Sequence, residues 1–361
     1  MNALTRSPAA PHTHAGDNIP RIMFTVLLAL IPATAYGLYM FGWPAINLFV
    51  LTVTSAVAGE AICLYIADKP VLPALGDGSA ILTGWLLASS LPPWAPWWIG
   101  VSGGLFAIII GKQIFGGIGQ NVFNPAMLAR VALLISVPVQ MTSWVTPAPI
   151  HAVSSPDFLQ GLAITFGIDP IADGASGATL LNQIKTGLSQ GYALGRILPG
   201  EYSLLKTLAG NQSGSLGETS AVLLFIGGVV LLLRKIISWH IPVSMLAAVM
   251  IPATLFNLLE PEHYAGPLLY LTSGGLVLGA FFIATDLVTS PTTYHGQLLF
   301  GAGCGLLVYV IRTWGGYPEG VAFAVLLMNA VTPLIDHYLR PRAYGRGING
   351  RSLGGHHGRT G

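Results

Sequence analysis

Charge is what this sequence has least of. Among 361 residues there are 16 Lys or Arg and 14 Asp or Glu, 8% in all. A soluble domain carries roughly 25%, so a fold that turns its surface to water is excluded. The formal net charge of +2 is too small for a nucleic-acid face, and no nucleic-acid partner is expected. Cysteine is nearly absent: Cys63 and Cys304 lie far apart inside apolar stretches. They cannot form a four-cysteine cluster, and no disulfide is expected between them. Any redox chemistry must therefore come from a bound cofactor. The nine histidines have no metal-ligand spacing, so neither a metal site nor a catalytic side chain is expected. No cleavable leader is expected, because Met1 to Pro20 is polar and the apolar run from Ile22 has no small-residue cleavage site behind it.

Hydrophobic residues make up 53% of the chain, with 45 glycines and 25 prolines. Repeated apolar runs of spanning length predict an all-α polytopic membrane protein embedded in a lipid bilayer. Ten spans are expected: Ile22–Met40, Ile46–Ile66, Ser79–Leu91, Trp97–Ile110, Ala126–Val139, Thr219–Leu233, Ile241–Leu258, Leu268–Thr285, Gln297–Ile311 and Val321–Ile335. Several fall short of the ~20 residues a free-standing helix needs, which implies tilted, broken or shielded helices. Trp94, Trp97 and Trp98 are expected to form an interfacial belt.

Lys and Arg set the orientation. With the N-terminus inside, eleven fall on the cytoplasmic side: Arg6, Arg21, Lys69, Lys112, Arg234, Lys235, Arg340, Arg342, Arg346, Arg351 and Arg359. Only Lys185, Arg196, Lys206 and Arg312 fall on the other, and Arg130 lies within a span. Both termini are therefore expected in the cytoplasm and the interval 140–218 outside.

Two stretches resemble each other. "GWLLASSLPPWAPWW" from Gly84 and "GAFFIATDLVTSPTTYHG" from Gly279 each precede a glycine-rich span. The pairs Gly84/Gly279 and Gly116/Gly315 are separated by 195 and 199 residues. Five spans per half is an odd number, so the second copy must insert upside down, as an inverted repeat. The expected organisation is a cytoplasmic segment 1–20, a first five-helix repeat 21–139, an extracytoplasmic loop 140–218, a second repeat 219–337 and a basic cytoplasmic tail 338–361. The matched Pro- and Thr-rich interruptions suggest a midplane ligand site between the halves; alternatively they end helices at the membrane surface.

The longest polar interval contains "DGASGATLL", Asp173 to Leu181. Two readings of Thr179 stand. In one, Ser176 caps a short amphipathic helix over 177–189 and Thr179 is an ordinary first-turn residue. In the other, Thr179 carries a phosphate-linked adduct at the positive end of the helix, where free N–H groups favour phosphate. Small neighbours such as Gly177 and Ala178 leave room for it.

Three ionisable residues lie at membrane depth. Glu60 and Arg130 sit at similar distances from the cytoplasmic ends of spans two and five, which suggests an ion pair between them. Asp286 ends span eight, where it could cap, line the ligand site or contact an ion.

The acceptor stretch is similar to Asp-x-x-Ser/Thr-Gly-Ala-Thr, on whose threonine a flavin transferase esterifies FMN through its phosphate. The wider chain resembles the family that includes the RnfD component of the Rnf electron-transport complex and, more distantly, the NqrB component of the sodium-pumping NADH:quinone reductase. "DGSAILTGWLLASSLPPWAPWW", "IGKQIFGGIGQNVFNPAMLARV", "GSLGETSA", "SWHIPVS", "FFIATDLVTSPTTYHG" and "GGYPEGVAFAVLLMNAVTPLID" carry the likeness, with Leu287 departing from an expected proline. The resemblance implies covalent FMN on Thr179 within the motif Asp173, Ser176, Gly177 and Ala178, and a noncovalent riboflavin in the membrane part. It also implies maturation by a flavin transferase and partner subunits A, B, C, E and G in a bacterial cytoplasmic membrane complex. Such a complex couples ferredoxin:NAD oxidoreduction to Na+ or H+ movement. Without the acceptor motif, an inverted repeat with broken helices would read equally as a secondary transporter or channel.

Overall fold

The computed structural model describes residues 18–168, 176–197, 210, 212–317 and 319–340. Its first element, α1 (Ile19–Ile66), starts where the Asn18 side chain accepts from the Arg21 N–H at 3.0 Å. Forty-eight residues of straight helix would reach about 72 Å, more than twice the ~30 Å hydrocarbon core. Gly42, at φ 72° and ψ −160°, breaks the run just before Pro44. Contacts with α2 (Ser79–Ser90) show the two arms running in opposite directions. Trp85 Nε1 donates to Thr34 Oγ1 at 2.8 Å and Trp94 Nε1 to the Phe41 carbonyl at 2.9 Å, so α2 ascends with the first arm. Gly84 lies against Val53 and Ala56 of the second arm, while Lys112 bonds both Ser79 and Glu60, so α2 descends past that arm.

The rest of the first half comprises α3 (Trp97–Ile108), which continues into a π-turn over Ile109–Gln113, and α4 (Pro125–Ser136), capped by Asn124. After the polar interval, with α5 (Leu180–Ser189), come α6 (Ala221–Leu233), α7 (His240–Leu259), α8 (Tyr294–Thr313) and α9 (Val321–Tyr338). α1 packs on α2 and α3, and α7 packs on α8; α4 meets α9 and α1 meets α6, which joins the halves. Small residues allow the closest approaches. Gly104 of α3 faces Thr52 and Ala56, and Gly305 of α8 faces Met245 and Ala248.

α1, α7, α8 and α9 are each long and apolar enough to cross a membrane; α2, α4 and α6 are shorter apolar helices. Polarity is distributed opposite to that of a water-soluble protein. Val243, Ile251, Leu255 and Leu258 of α7 face outward, while Thr52, Glu60, Lys112, Asn124 and Asn329 are buried. Exposed apolar surface on this scale fits lipid, not water. The chain is an all-α membrane protein.

Two expectations change. Span eight is not one helix: it consists of Pro267–Thr272, then Leu276–Leu278 running into a π-turn over Gly279–Ile283, with Ser273–Gly275 between. Gly274 takes φ +70° there, a conformation that ends a helix. Trp94 does not belong to an interfacial belt. It is 6% exposed and holds the Phe41 carbonyl, whereas Trp97 and Trp98 remain exposed.

Candidate functional site

Ser176–Gly177 is extended and pairs antiparallel with Trp144–Val145, Ser176 opposite Val145. That pairing delays the following helix, so Ser176 is not its cap. Thr179 is: its φ of −63° and ψ of 151° are extended, and its hydroxyl accepts from the Asn182 N–H at 3.2 Å. Thr179 is 7% exposed and Ala178 beside it is exposed. Asp173 lies outside the described residues. The hydroxyl thus sits at the N-terminal end of α5, among amides with no partner inside the helix, where a phosphate is favoured.

α5 is clamped onto the second half. Lys185 Nζ donates to the Ile311 carbonyl at 3.1 Å and the Tyr317 carbonyl at 2.9 Å, at the C-terminal end of α8. Burial pushes the Lys185 ammonium below its ordinary range, while the carbonyls it engages keep its positive charge useful. Leu181, on the first turn of α5, lies against the Gly274 turn.

Glu60 and Arg130 are not a pair. The Glu60 carboxylate, 3% exposed, takes Lys112 Nζ at 2.6 Å and Gln113 Nε2 at 2.8 Å. Lys112 also donates to Ser79 Oγ at 2.6 Å, and Ser79 in turn donates to Asp77. The second Glu60 oxygen is buried without a partner. Lys112 and Gln113, the last two residues of the π-turn, both reach one Glu60 oxygen through their long side chains. Arg130 instead lies within electrostatic range of Glu218 and Glu319. Asp286 accepts from Val288 N–H and Thr289 Oγ1, and at 3.5 Å from Asn124 Nδ2, which links the second interruption to the cap of α4.

The structure adds a group that the sequence alone does not single out. Arg312, at the end of α8, binds both oxygens of Glu319 at 3.0 and 3.1 Å and the Tyr270 carbonyl at 2.8 Å. Glu319 also accepts from the Gly275 N–H at 3.0 Å, so the pair holds the break in span eight. Among the described residues, the Glu218 carboxylate accepts only from Ser215 Oγ, at 2.8 Å. Burial, then the charge of Glu319, pushes the Glu218 carboxyl up to about 7, against Arg130, Ser215 and Arg312. Burial opposes the charge of Glu319 too, but Arg312 and Arg130 outweigh it and hold that carboxyl low. Arg312 and Glu319 do stand at the edge of the glycine-rich "RTWGGYPEG", a legible signal; their partner Glu218, nearly a hundred residues upstream, is not.

Among the described residues, the slot lined by the second interruption is not lined by the first. That slot, of about 80 Å³ between the halves, is lined by Thr83, Lys112, Asn121 and Asn124 on one side and by Phe282 and Asp286 on the other. No residue of "LPPWAPWW" reaches it. That first interruption begins where Ser89, ending α2, meets the turn at Gly217. The slot's amides and hydroxyls suit the rim of an isoalloxazine, but small-molecule pockets start at roughly 300 Å³. The slot as it stands does not accommodate a flavin.

The sequence profile described as "NQR2, RnfD, RnfE family" matches residues 6–345. The chain is 58% identical over 337 residues to the D subunit of the ion-translocating oxidoreductase complex of Stutzerimonas stutzeri, an alignment that covers 93% of this chain and 95% of the relative. It is 53% identical over 338 residues to the protein of that description from Halorhodospira halophila, covering 94% and 95%. With the one from Rhodobacter capsulatus it shares 51% over 303 residues, 84% of each chain.

Proposed function

The chain belongs to the NQR2, RnfD, RnfE family, and from that premise we propose that it is the flavin-carrying membrane subunit of an Rnf-type complex. Its relatives are subunits of ion-translocating oxidoreductase complexes, and this chain is a translocase subunit of that kind. In the reading advanced here, FMN is esterified through its phosphate to Thr179 by a flavin transferase. The complex then couples ferredoxin:NAD+ electron transfer to Na+ or H+ movement, with subunits A, B, C, E and G as partners. Bound FMN would supply the electron-transfer chemistry, and the protein its placement and burial.

The observation that carries this reading is Thr179 as the cap of α5. A phosphoester there would be favoured by the unpaired amides of the first turn. The chain's own residues hold that end still: Lys185 ties α5 to the carbonyls ending α8, and Leu181 packs on the Gly274 turn. Asp173, Ser176, Gly177 and Ala178 complete the acceptor motif. The noncovalent riboflavin has a weaker footing. The slot beside Asn121 and Asn124 offers the right polar groups in too little volume, and no step is assigned to it.

The inverted five-helix repeat is part of the proposal. Gly100 and Gly104 of α3 face the second arm of α1 as Gly301 and Gly305 of α8 face α7. Both pairs are 201 residues apart, in step with the sequence repeat. A buried ion pair also ends each of these helices, Lys112–Glu60 after α3 and Arg312–Glu319 after α8. The broken span eight favours a second function in the same chain, an ion path through the repeat interface.

The test is a denaturing gel of the complex, coexpressed with its flavin transferase and viewed under ultraviolet light before staining. A fluorescent band at this protein's size, lost in Thr179→Ala, is the expected result. A dark wild-type band, with the transferase active on another target, would bring the transporter reading forward.

A further inference from the structure

Glu218 is the buried acid that nothing above employs. It lies in the short 3-10 turn Leu216–Glu218 just before α6, outside the spanning helices, and is 7% exposed. One carboxylate oxygen accepts from Ser215 Oγ; among the described residues, no cation is in ion-pair contact with either oxygen. Gln212 meets only its backbone carbonyl, at 3.3 Å, and the Thr272 carbonyl, at 3.2 Å. A carboxylate removed from water and given one neutral hydrogen bond is poorly compensated in its charged form.

The groups facing it set its charge balance. Arg312 is committed to Glu319, and Arg130 acts on both acids by its charge, on Glu218 more strongly than Arg312 does. α1 and α2 pack on the same turn and present Gly37 and Ser89 to it. Arg130, Arg312 and Glu319 together carry one net positive charge. An ionised Glu218 makes the cluster neutral; a protonated one leaves it at plus one. Two further polar atoms in this region are buried without partners, Arg312 Nε and Ser273 Oγ, the latter beside the Gly274 turn that abuts the Arg312–Glu319 pair.

We propose that Glu218 is a reversible proton-binding site, buried in the turn before α6 and balanced by Arg130, Arg312 and Glu319. Protonation is Glu218–COO⁻ plus H⁺ giving Glu218–COOH, with no other bond made or broken. Leu181 connects the site to α5, since it lies against the same Gly274 turn whose neighbours are Arg312 and Glu319. Negative charge arriving near that turn favours the protonated acid; positive charge favours release. The physiological meaning rests on membership of an ion-translocating family, but the proton site itself requires no flavin.

Infrared difference spectroscopy of the assembled complex in lipid, titrated from acid to alkaline pH, tests it. A carboxylic-acid C=O band is expected to vanish as pH rises through about 7 and to be absent at every pH in Glu218→Gln, which resembles the protonated acid and should fold. Arg130→Gln removes a favourable charge, so the band is expected to survive to higher pH by about one unit. An unchanged band in Glu218→Gln would overturn the proposal. So would an Arg130→Gln midpoint that stays put or falls. Loss of the band on adding sodium at fixed pH would equally overturn it, in favour of a metal cation. None of these outcomes alters the fluorescence of the Thr179 band, so the two readings fail separately.

Discussion

At the scale of single residues, the buried ion pair Lys112–Glu60 offers the sharpest test. Both side chains are 3% exposed and 2.6 Å apart. Removing one partner strands the other charge in a medium that cannot solvate it, at a cost of about 3–5 kcal/mol. Lys112→Met alone is therefore expected to lower the thermal midpoint of the detergent-solubilised complex sharply. Lys112→Met combined with Glu60→Gln is expected to recover most of the loss, because neither product is charged. If the double variant were as unstable as the single one, the pair would not be what holds these helices together. The sequence exposed Glu60 as a costly charge needing a partner but pointed to Arg130. Depth along a helix was the only ruler available, and it assumed regular α-geometry. The partners found, Lys112 and Gln113, end the π-turn at Ile109–Gln113, and a local widening of that kind leaves no periodic mark. Thr179 was legible for a different reason: its frame of small residues is contiguous, so no tertiary contact was needed to notice it. Its capping role was not legible, because the pairing of Ser176 with Val145 joins segments about thirty residues apart.

At the scale of elements, close helix contacts depend on the glycines that face neighbouring backbones. A Cβ on Gly305 would meet Ala248 Cβ at 2.8 Å, and one on Gly104 would meet the Thr52 carbonyl at 2.8 Å. Gly305→Val and Gly104→Val are each expected to cost about 1–3 kcal/mol by overpacking, seen as lower yield of folded protein and a lower thermal midpoint. Gly266→Ala, with nothing within 4 Å of the added carbon, is the matched control and should change neither. Wild-type behaviour of both valine variants would mean that the packing of α3 on α1, and of α8 on α7, is looser than these contacts require. Apolar runs located these helices to within a few residues, since length and hydropathy are read directly from the sequence. Span eight escaped because its break carries no proline and little polarity. Gly274 turns the chain with φ +70°, and the amide of the next residue, Gly275, is satisfied from a distance by Glu319 at 3.0 Å.

At the scale of the whole molecule, the open question is which surface faces which compartment. The helices fix relative directions: α2 runs with the first arm of α1 and against the second, so Asn18 and Asp68 lie at the same end. Under the proposed ten-span topology an odd number of crossings would carry Thr179 to the other end, and the Lys and Arg distribution predicts that the Asn18 end faces the cytoplasm. Single cysteines make this measurable once Cys63 and Cys304 are replaced by serine. Cys304 is fully buried and must be shown to tolerate the change by retained yield. Ala178, Asp68 and Arg340 are all exposed, so a membrane-impermeant thiol reagent can reach each of them from its own side. In intact spheroplasts Ala178→Cys is expected to react, while Asp68→Cys and Arg340→Cys react only in inverted vesicles. Labelling of Ala178→Cys and Arg340→Cys from one side would remove the odd number of crossings between them. It would also remove the inversion of the second half, since two repeats of five antiparallel spans cannot return both sites to one face. Labelling of Ala178→Cys only from the cytoplasmic side, with Arg340→Cys opposite, would keep the inversion and reverse the whole molecule. Glu218 and the acceptor helix would then open to the cytoplasm, and the proton site with them.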